Sequence, residues 1–392
     1  MEHFHIIQAL CRSALSNPSK ATIHQVERLK EALEKEGRIK DALALGSLLT
    51  EVEKSFDMAP SKIERSRMMF AGEDLTPRTP IPVDKETSTP LAEIIFTDSL
   101  PVESPIFSDN VELAIASILN EWKHFDKLAA ISAQPSRSCL IYGAPGTGKT
   151  HLALWIAKQI NIPVVLARLD GMMSSFLGTT SRNIGNLFAF ASKYRCILLL
   201  DEFDAIAKLR NDPQEVGEIK RVVNTLLQNL DSRSKTGFTI GVTNHESLLD
   251  PAIWRRFDVQ IEIPRPSVDV MHSIIKKFSS PLELNETEIK FLSWAIENGS
   301  GADAESLVKW LKKSSVLDSE YHDSLVPQIR KFAMLNSGRI DAAKRNILNQ
   351  SDDELIIALS NDQPNGFKQK EIASLMNRAP STTSKIISKS KL

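Results

Sequence analysis

Eight consecutive residues, 143–150, have the types and spacing of a phosphate-binding loop. Their sequence fits the pattern G-x-x-x-x-G-K-[ST]. A glycine-rich turn can wrap its backbone N–H groups around phosphate oxygens, Lys149 can reach the outer phosphates, and the Thr150 hydroxyl can ligate Mg²⁺. The stretch therefore predicts a nucleoside triphosphate site, and the alternative is a glycine-rich turn without nucleotide. The predicted nucleotide-binding residues here are Gly143, Ala144, Pro145, Gly146, Thr147, Gly148, Lys149, Thr150 and His151.

Polar residues follow two apolar runs later in the chain, Ile197–Leu200 and Thr239–Val242. Asp201 and Glu202 come directly after Ile197–Leu200. Asp201 is placed to hold Mg²⁺, directly or through water, and Glu202 can polarise a water for in-line attack on the γ-phosphate. An acidic pair alone is common on protein surfaces, but one that follows a strand about 50 residues after a phosphate loop favours a function. Asn244 could orient the attacking water or contact the γ-phosphate, and its alternative is a turn-capping role.

The elements that must position these residues alternate between short apolar strands and helices. Repetition of that order predicts a parallel sheet covered on both faces, with ligands beyond the carboxyl ends of the strands. We therefore expect an α/β fold, a P-loop parallel sheet with helices on both faces plus a helical lid, flanked by small all-α N- and C-terminal units. The predicted strands are Cys139–Tyr142, Val164–Ala167, Ile197–Leu200, Thr239–Val242 and Val259–Ile263.

Composition shifts divide the chain into five predicted parts. The N-terminal helices could bind adaptors or clients, or serve as a packing or oligomerisation unit. The linker is rich in proline, but its stretch Leu91–Phe96 has enough apolar bulk to dock on the next domain. The parts are an N-terminal helical domain (1–56), a Pro-rich linker (57–104), a large subdomain (105–266), a helical lid (267–338) and a C-terminal helical unit (339–392).

Charge and cysteine content exclude several classes of protein. The chain has 48 basic and 49 acidic residues among 392, a balance that argues against a globally basic nucleic-acid binder. Three scattered cysteines are too few for a disulfide framework or a metal cluster. No apolar run approaches the roughly 18 residues that span a bilayer, and the N-terminus carries an acid where a signal peptide carries a base. We expect a cytoplasmic protein with no membrane partner.

Four ordered motifs resemble those of an AAA ATPase of the clade of katanin, the membrane-fusion ATPases and FtsH-type proteases. They are residues 143–150, Leu198–Glu202, Thr243–Asn244 and Leu249–Asp258, and the resemblance covers roughly residues 106–311. It implies that Asn244 is a sensor residue. It also implies that Arg255 and Arg256 reach into the nucleotide site of a neighbouring subunit, where a cation stabilises transition-state charge. The alternative for these arginines is a solvated or salt-bridged pair.

Two further stretches resemble parts of the same clade. Phe176, Leu177 and Gly178 resemble the loop with which such hexamers grip an extended polypeptide, and the alternative is packing beneath that loop. Gly301 and Ala302 resemble the start of the lid helix that contacts base and ribose. No arginine occurs in that helix start, which favours a protein remodeller over a DNA-replication ATPase.

The C-terminal stretch 367–386 resembles a helix-turn-helix of bacterial regulators. Asn377 could adopt the left-handed conformation of the turn, whereas Arg378 and Thr383 depart from the apolar residues preferred there. Residues 367–392 contain six basic residues and one acidic residue, a net charge of +5. DNA is therefore a candidate partner through 367–392, with a recognition helix near Ser381–Ser390. The alternatives are a solvated basic tail and a protein-contacting unit.

The resemblance as a whole implies Mg²⁺-dependent ATP hydrolysis coupled to remodelling or threading of a protein client. It implies a ring-shaped homo-oligomer, a hexamer, with ATP and Mg²⁺ as ligands and a separately encoded protease or adaptor as a candidate partner. One alternative is an ATP-switched DNA-binding regulator or a transposition-type ATPase. Another is a pseudo-ATPase scaffold, against which the intact Glu202 and arginine pair argue. The chain contains no His-Glu-x-x-His zinc motif of its own.

Overall fold

The structure is a computed structural model of the chain, and it divides into two compact units, Met1–Met69 and Phe70–Leu392. The residues that it describes are 7, 11, 20–35, 37–38, 40–47, 72–133, 135–169, 177–205, 216–233, 238–317 and 325–389.

The N-terminal unit contains helix α1 (Lys20–Lys35), and residues 40–47 are also helical. Small and medium apolar side chains form its core. This agrees with the helical periodicity of the sequence, because apolar residues three and four apart share one face of a helix. The buried members are Cys11, Val26, Leu33, Ala42 and Leu45.

A six-stranded sheet organises the second unit. Its strands lie in the order β1-β3-β4-β5-β2-β6, in which β2 to β6 are parallel and β1 pairs antiparallel with β3. The five strands predicted from the sequence all form. Mainly apolar runs suit β2 to β5, which are buried on both faces, whereas the edge strand β6 alternates apolar and polar residues. The strands are β1 (Glu93–Ile95), β2 (Ser138–Tyr142), β3 (Val164–Arg168), β4 (Ile197–Asp201), β5 (Phe238–Thr243) and β6 (Val259–Glu262).

Helices cover both faces of this sheet. One face packs against α5 and α6, whose apolar side chains share a core with alternate residues of β2, β3 and β4. Helix α4 contacts β2, β4 and β5, and α2 contacts α4 and β6. The helices of this part are α2 (Asp109–Lys123), α3 (Phe125–Ala130), α4 (Lys149–Ile160), α5 (Leu177–Lys193), α6 (Val216–Arg233) and α7 (Pro251–Trp254).

Strand β1 lies in the segment for which the sequence predicts a linker. Leu91 and Ala92 are buried in the core of the sheet, and Asp84, 2 % exposed, hydrogen-bonds Asn183 of α5. The described residues 72–104 therefore belong to the folded domain. Their proline content does not prevent this, because a three-residue antiparallel edge strand needs few backbone N–H donors.

Eight helices follow the sheet among the described residues 263–317 and 325–389. One hydrophobic core runs through all of them, so that Ile274 of the lid lies in the same core as Leu348 and Ile387 of the C-terminal part. The predicted boundary near residue 338 therefore does not separate two cores. The helices are α8 (Val268–Ser279), α9 (Glu286–Ala295), α10 (Gly301–Leu317), α11 (Leu325–Leu335), α12 (Ala342–Asn349), α13 (Asp352–Asn361), α14 (Gln369–Leu375) and α15 (Pro380–Lys389).

Among the residues that the structure describes, no helix is both long enough and apolar enough to cross a membrane.

Candidate nucleotide-binding site

The glycine-rich loop connects β2 to α4 and has a conformation that glycine favours. Gly146 and Gly148 have φ values of +76° and +94°, in the left-handed region. Gly143 has a φ of +139°, and a Cβ atom at this position would lie 2.2 Å from the carbonyl oxygen of Ile263. The loop can therefore approach the end of β6 only because residue 143 has no side chain.

Lys149 begins α4, and its side chain folds back into the loop. Its Nζ donates hydrogen bonds to the carbonyl oxygens of Gly143 and Ala144, at 2.9 and 2.7 Å. The residue is 5 % exposed, and burial lowers the pKa of the ammonium group below its ordinary value. A cation that is costly to desolvate and sits inside an anion-binding turn is suited to a phosphate partner.

Thr150 and Asp201 meet at the carboxyl edge of the sheet. The Thr150 hydroxyl donates to Asp201 Oδ2 at 3.0 Å, which joins the first turn of α4 to the tip of β4. Mg²⁺ is bound in proteins by one or two such oxygen ligands together with water and substrate phosphates. The donor set fits Mg²⁺, although the described residues contain no cluster of three His, Cys, Asp or Glu side chains that would hold a metal alone.

Glu202 follows Asp201 in an unusual backbone conformation. Its φ is +54°, a value that few non-glycine residues adopt, and its N–H donates to Asp201 Oδ1 at 2.9 Å. Backbone strain of this kind is concentrated at functional sites. Asp201 thus accepts from Thr150 through one carboxylate oxygen and from the Glu202 N–H through the other.

Asn244 lies just beyond β5, beside a buried carboxylate that the sequence analysis did not single out. Asp204, 2 % exposed, accepts hydrogen bonds from the Thr243 hydroxyl at 3.2 Å and from the Asn244 N–H at 3.4 Å. Asp204 thus ties the segment after β4 to the end of β5. Its sequence signal is the acidic residue that follows Asp201 by three, and that spacing alone does not reveal its partner.

A cavity of about 510 Å³ joins these elements. It is lined by the loop from Pro145 onward, by Asp201 and Glu202 at the end of β4, by Asn244 and by the start of α10. Gly143 and Ala144 are not among its lining residues, and they contribute their carbonyl groups to Lys149. The predicted site residues that line it are Pro145, Gly146, Thr147, Gly148, Lys149, Thr150, His151, Asp201, Glu202, Asn244, Gly301 and Ala302.

The start of α10 is hydrogen-bonded to the loop. The Ala302 N–H donates to the Gly146 carbonyl at 3.1 Å, and a Cβ atom on Gly146 would lie 2.6 Å from Ser300 Oγ. Asp303 Oδ2 accepts from the Ser300 N–H and hydroxyl at 2.9 and 2.7 Å. The lid therefore closes directly on the glycine-rich turn.

An apolar wall of the cavity was missed by the sequence analysis. Phe107 precedes α2, while Ile274 and Phe278 lie on one face of α8. Their spacing indicates only an amphipathic helix, so that no sequence signal distinguishes them from core residues. The wall gives the cavity an apolar surface beside the polar loop, as a base and a triphosphate require.

The two predicted arginines differ in their surroundings. Asp250 caps α7 by accepting from the Ala252 N–H at 2.8 Å, and the arginines follow that helix. Arg255 is exposed, whereas Arg256 forms an ion pair with Asp231 of α6 at 2.8 Å. Neither arginine belongs to the described residues that line the cavity.

The predicted client-gripping loop is only partly described. Phe176 lies outside the described residues, and Leu177 and Gly178 are the first residues of α5.

Comparison with known proteins identifies relatives of this chain. The family model for the "ATPase family associated with various cellular activities (AAA)" matches residues 139–265. The uncharacterized AAA family ATPase y4kL of Sinorhizobium fredii (strain NBRC 101917 / NGR234) is 31 % identical over 302 residues, which are 74 % of this chain and 89 % of that protein.

Two further relatives match over the central part of the chain. The ATP-dependent zinc metalloprotease FtsH of Aquifex aeolicus is 31 % identical over 209 residues, 51 % of this chain and 33 % of that protein. The proteasome-activating nucleotidase of Thermococcus onnurineus is 31 % identical over 192 residues, 47 % of this chain and 48 % of that protein. The chain thus spans half or less of the length of these two relatives.

Proposed function

Because the chain belongs to the AAA family of ATPases, we propose that it couples Mg²⁺-dependent ATP hydrolysis to the remodelling or threading of a protein client. The observation that carries the proposal is the cavity in which the glycine-rich loop, Asp201, Glu202 and Asn244 face one another. Their order along the sheet edge suits in-line attack on the terminal phosphate of ATP.

Five residues of one chain are assigned to hydrolysis. Lys149 binds the outer phosphates, and its two backbone carbonyl partners keep it at the loop until they arrive. Bound Mg²⁺ would neutralise charge on the phosphates, and Thr150 and Asp201 would hold it. Glu202 accepts the proton of the attacking water, and Asn244 orients that water or contacts the γ-phosphate.

Arg255 is assigned to the nucleotide site of a neighbouring subunit, and Arg256 supports it. Arg255 is exposed and lies outside the residues that line its own cavity, an arrangement that supports action on another copy. Arg256 is held by Asp231 and is assigned to orient the turn that carries Arg255. Subunits that each complete the next site form a closed ring when the rotation between neighbours closes, and we propose a hexamer.

A mixing experiment tests this division of roles. Glu202→Gln and Arg255→Ala each lose turnover, by about 10²-fold or more, while they still bind an ATP analogue. If Arg255 acts in trans, an equal mixture regains activity, since about a quarter of the sites combine an intact Glu202 with a neighbour's intact Arg255.

The control combines two substitutions that each remove a residue acting in the nucleotide site of its own subunit. A mixture of Glu202→Gln with Lys149→Met contains no complete site under either scheme and should stay inactive. Failure of the Glu202→Gln and Arg255→Ala mixture to regain activity would overturn the trans assignment. Unchanged hydrolysis by Glu202→Gln would overturn the assignment of the general base.

The client is proposed to be an extended polypeptide gripped by Phe176, Leu177 and Gly178. The names of the two partial relatives, a metalloprotease and a proteasome-activating nucleotidase, support a protein client and a separately encoded protease or adaptor as partner. Casein, an unstructured polypeptide, serves as the probe. It should stimulate ATP hydrolysis by the wild type, and Phe176→Ala should abolish the stimulation with basal hydrolysis retained. Equal stimulation of both proteins would argue against the gripping loop.

A further inference from the structure

The last two described helices form a helix-turn-helix on the lid. Helices α14 and α15 contact each other, and both contact α13. Asn377 in the turn has a φ of +50°, and the Arg378 N–H donates to the Ala373 carbonyl at 2.9 Å, which closes the turn. Thr383, which departs from the apolar pattern, is fully buried with its hydroxyl directed at the Ala379 carbonyl, 3.4 Å away.

Helix α15 has one buried face and one exposed face. Thr383 and Ile387, one turn apart, are buried against the unit. Ser381, Thr382 and Lys385 are exposed on the remaining surface of the helix. An exposed second helix in this arrangement has the geometry that inserts into the major groove of DNA.

The acidic side chains at the start of α13 and on α14 have partners within the chain. Arg378 binds Asp352 at 3.1 Å and Asp353 at 2.6 Å, and Glu371 binds Lys290 at 3.1 Å. Asp352, Asp353 and Glu354 all lie in the first turn of α13. Glu354 accepts hydrogen bonds from the Ser351 N–H and hydroxyl. The ion pairs of Arg378 join α13 to the turn, which explains why a charged residue occurs at this position. Because its guanidinium group is held by these carboxylates, Arg378 is not available for an external anion.

Four lysines remain on the surface of the unit. Lys368, Lys370, Lys385 and Lys389 are exposed, and within the described part of the chain none of them forms an ion pair. Glu371 lies within electrostatic reach of Lys368, but the four lysines together leave a surplus of positive charge on this surface, which predicts an anionic partner. No large apolar side chain of the described residues 342–389 is strongly exposed. Protein interfaces are anchored by such side chains, so that the surface favours a nucleic acid over an acidic protein.

We propose that α14 and α15 bind duplex DNA, with α15 in the major groove and the four lysines on backbone phosphates. Ser381 and Thr382 face the base edges, since hydroxyl groups contact bases there. The four phosphate contacts make the binding sensitive to salt, whatever the sequence of the DNA.

The test measures binding of the full-length protein to a fluorescent mixed-sequence duplex at several salt concentrations. The full chain is needed because Ile372 and Ile387 belong to the core of the lid. With four phosphate contacts, the logarithm of the association constant should fall with the logarithm of salt concentration with a slope of about −3.6. The double variant Lys385→Glu, Lys389→Glu should bind at least about 10-fold more weakly, with a slope shallower by about 2.

The matched control is Lys85→Glu, an exposed lysine on the segment before β1. It should bind DNA as the wild type does, and all variants should keep the melting temperature of the wild type. Three outcomes would overturn the proposal: no salt-dependent binding, equal loss in the control, or polyglutamate binding as tight as DNA binding. The last would identify an acidic protein as the partner instead.

Discussion

Gly143 determines how closely the glycine-rich loop can approach the end of strand β6. Its φ of +139° and the 2.2 Å that would separate a Cβ atom from the Ile263 oxygen leave no room for a side chain. Gly143→Ala must therefore move the loop away from β6, at a cost of about 2 kcal/mol or more in unfolding free energy. Because Lys149 is bonded to the Gly143 carbonyl, the affinity for an ATP analogue should fall as well. Denaturant unfolding and analogue titration measure the two effects.

A second glycine provides the control for this change. Gly185 lies within α5, and a Cβ atom there would meet nothing within 4 Å. Gly185→Ala should raise the unfolding free energy by roughly 0.5–1 kcal/mol, because alanine loses less backbone entropy in a helix. If Gly143→Ala proved as stable as Gly185→Ala, the close approach of the loop to β6 would be wrong.

At the scale of elements, Asp84 joins the segment before β1 to helix α5. Hydrogen bonds from the N–H groups of Glu86 and Thr87, and from Asn183, hold the pKa of Asp84 below its ordinary value. A carboxyl group with a lowered pKa in the folded state stabilises the fold above its ordinary pKa of 3.8, and this stabilisation is lost as the pH falls through the folded value.

Asp84→Asn tests the sign of this effect. The wild type should be more stable than the variant near neutral pH, and the difference should shrink as the pH falls below about 4. Urea unfolding of both proteins at several pH values measures it. A difference that stayed constant down to about pH 3, or grew, would contradict the assignment of these hydrogen bonds.

The same elements show how far sequence reasoning reaches. Four of the five strands were predictable because each is a mainly apolar run, and β6 because apolar residues alternate with Gln260 and Glu262. Parallel order then brings Asp201 to the same edge of the sheet as the loop that follows β2. Strand β1 was not predictable, because it has only three residues, too few to show a hydrophobic period, and it lies in a proline-rich segment. The wall formed by Phe107 and Phe278 depends on which helix faces pack together. Tertiary contacts decide which helix faces pack together, and the hydrophobic periodicity of one helix does not predict its partner.

At the scale of the whole molecule, the lid connects the nucleotide cavity to the C-terminal helices. Ile274 and Phe278 of α8 line the cavity, and His272 of the same helix hydrogen-bonds the buried Asn365 before α14 at 3.1 Å. The Ala302 N–H meanwhile binds the Gly146 carbonyl of the loop. A ligand at either end of this core that prefers one position of the lid should therefore change binding at the other.

Deletion of residues 340–392 tests whether the C-terminal helices are part of the lid. The deletion would expose the apolar face on which they pack, so that the remaining chain should melt at a lower temperature and bind an ATP analogue several-fold more weakly. A single substitution in the shared core tests the same packing without truncation. Leu359→Ala, at a fully buried position of α13, should cost about 2–5 kcal/mol and weaken analogue binding, whereas Leu335→Ala, at a position 66 % exposed, should cost less than about 0.5 kcal/mol. A truncated chain with wild-type stability and affinity would mean that the C-terminal helices are an independent domain, contrary to the shared core.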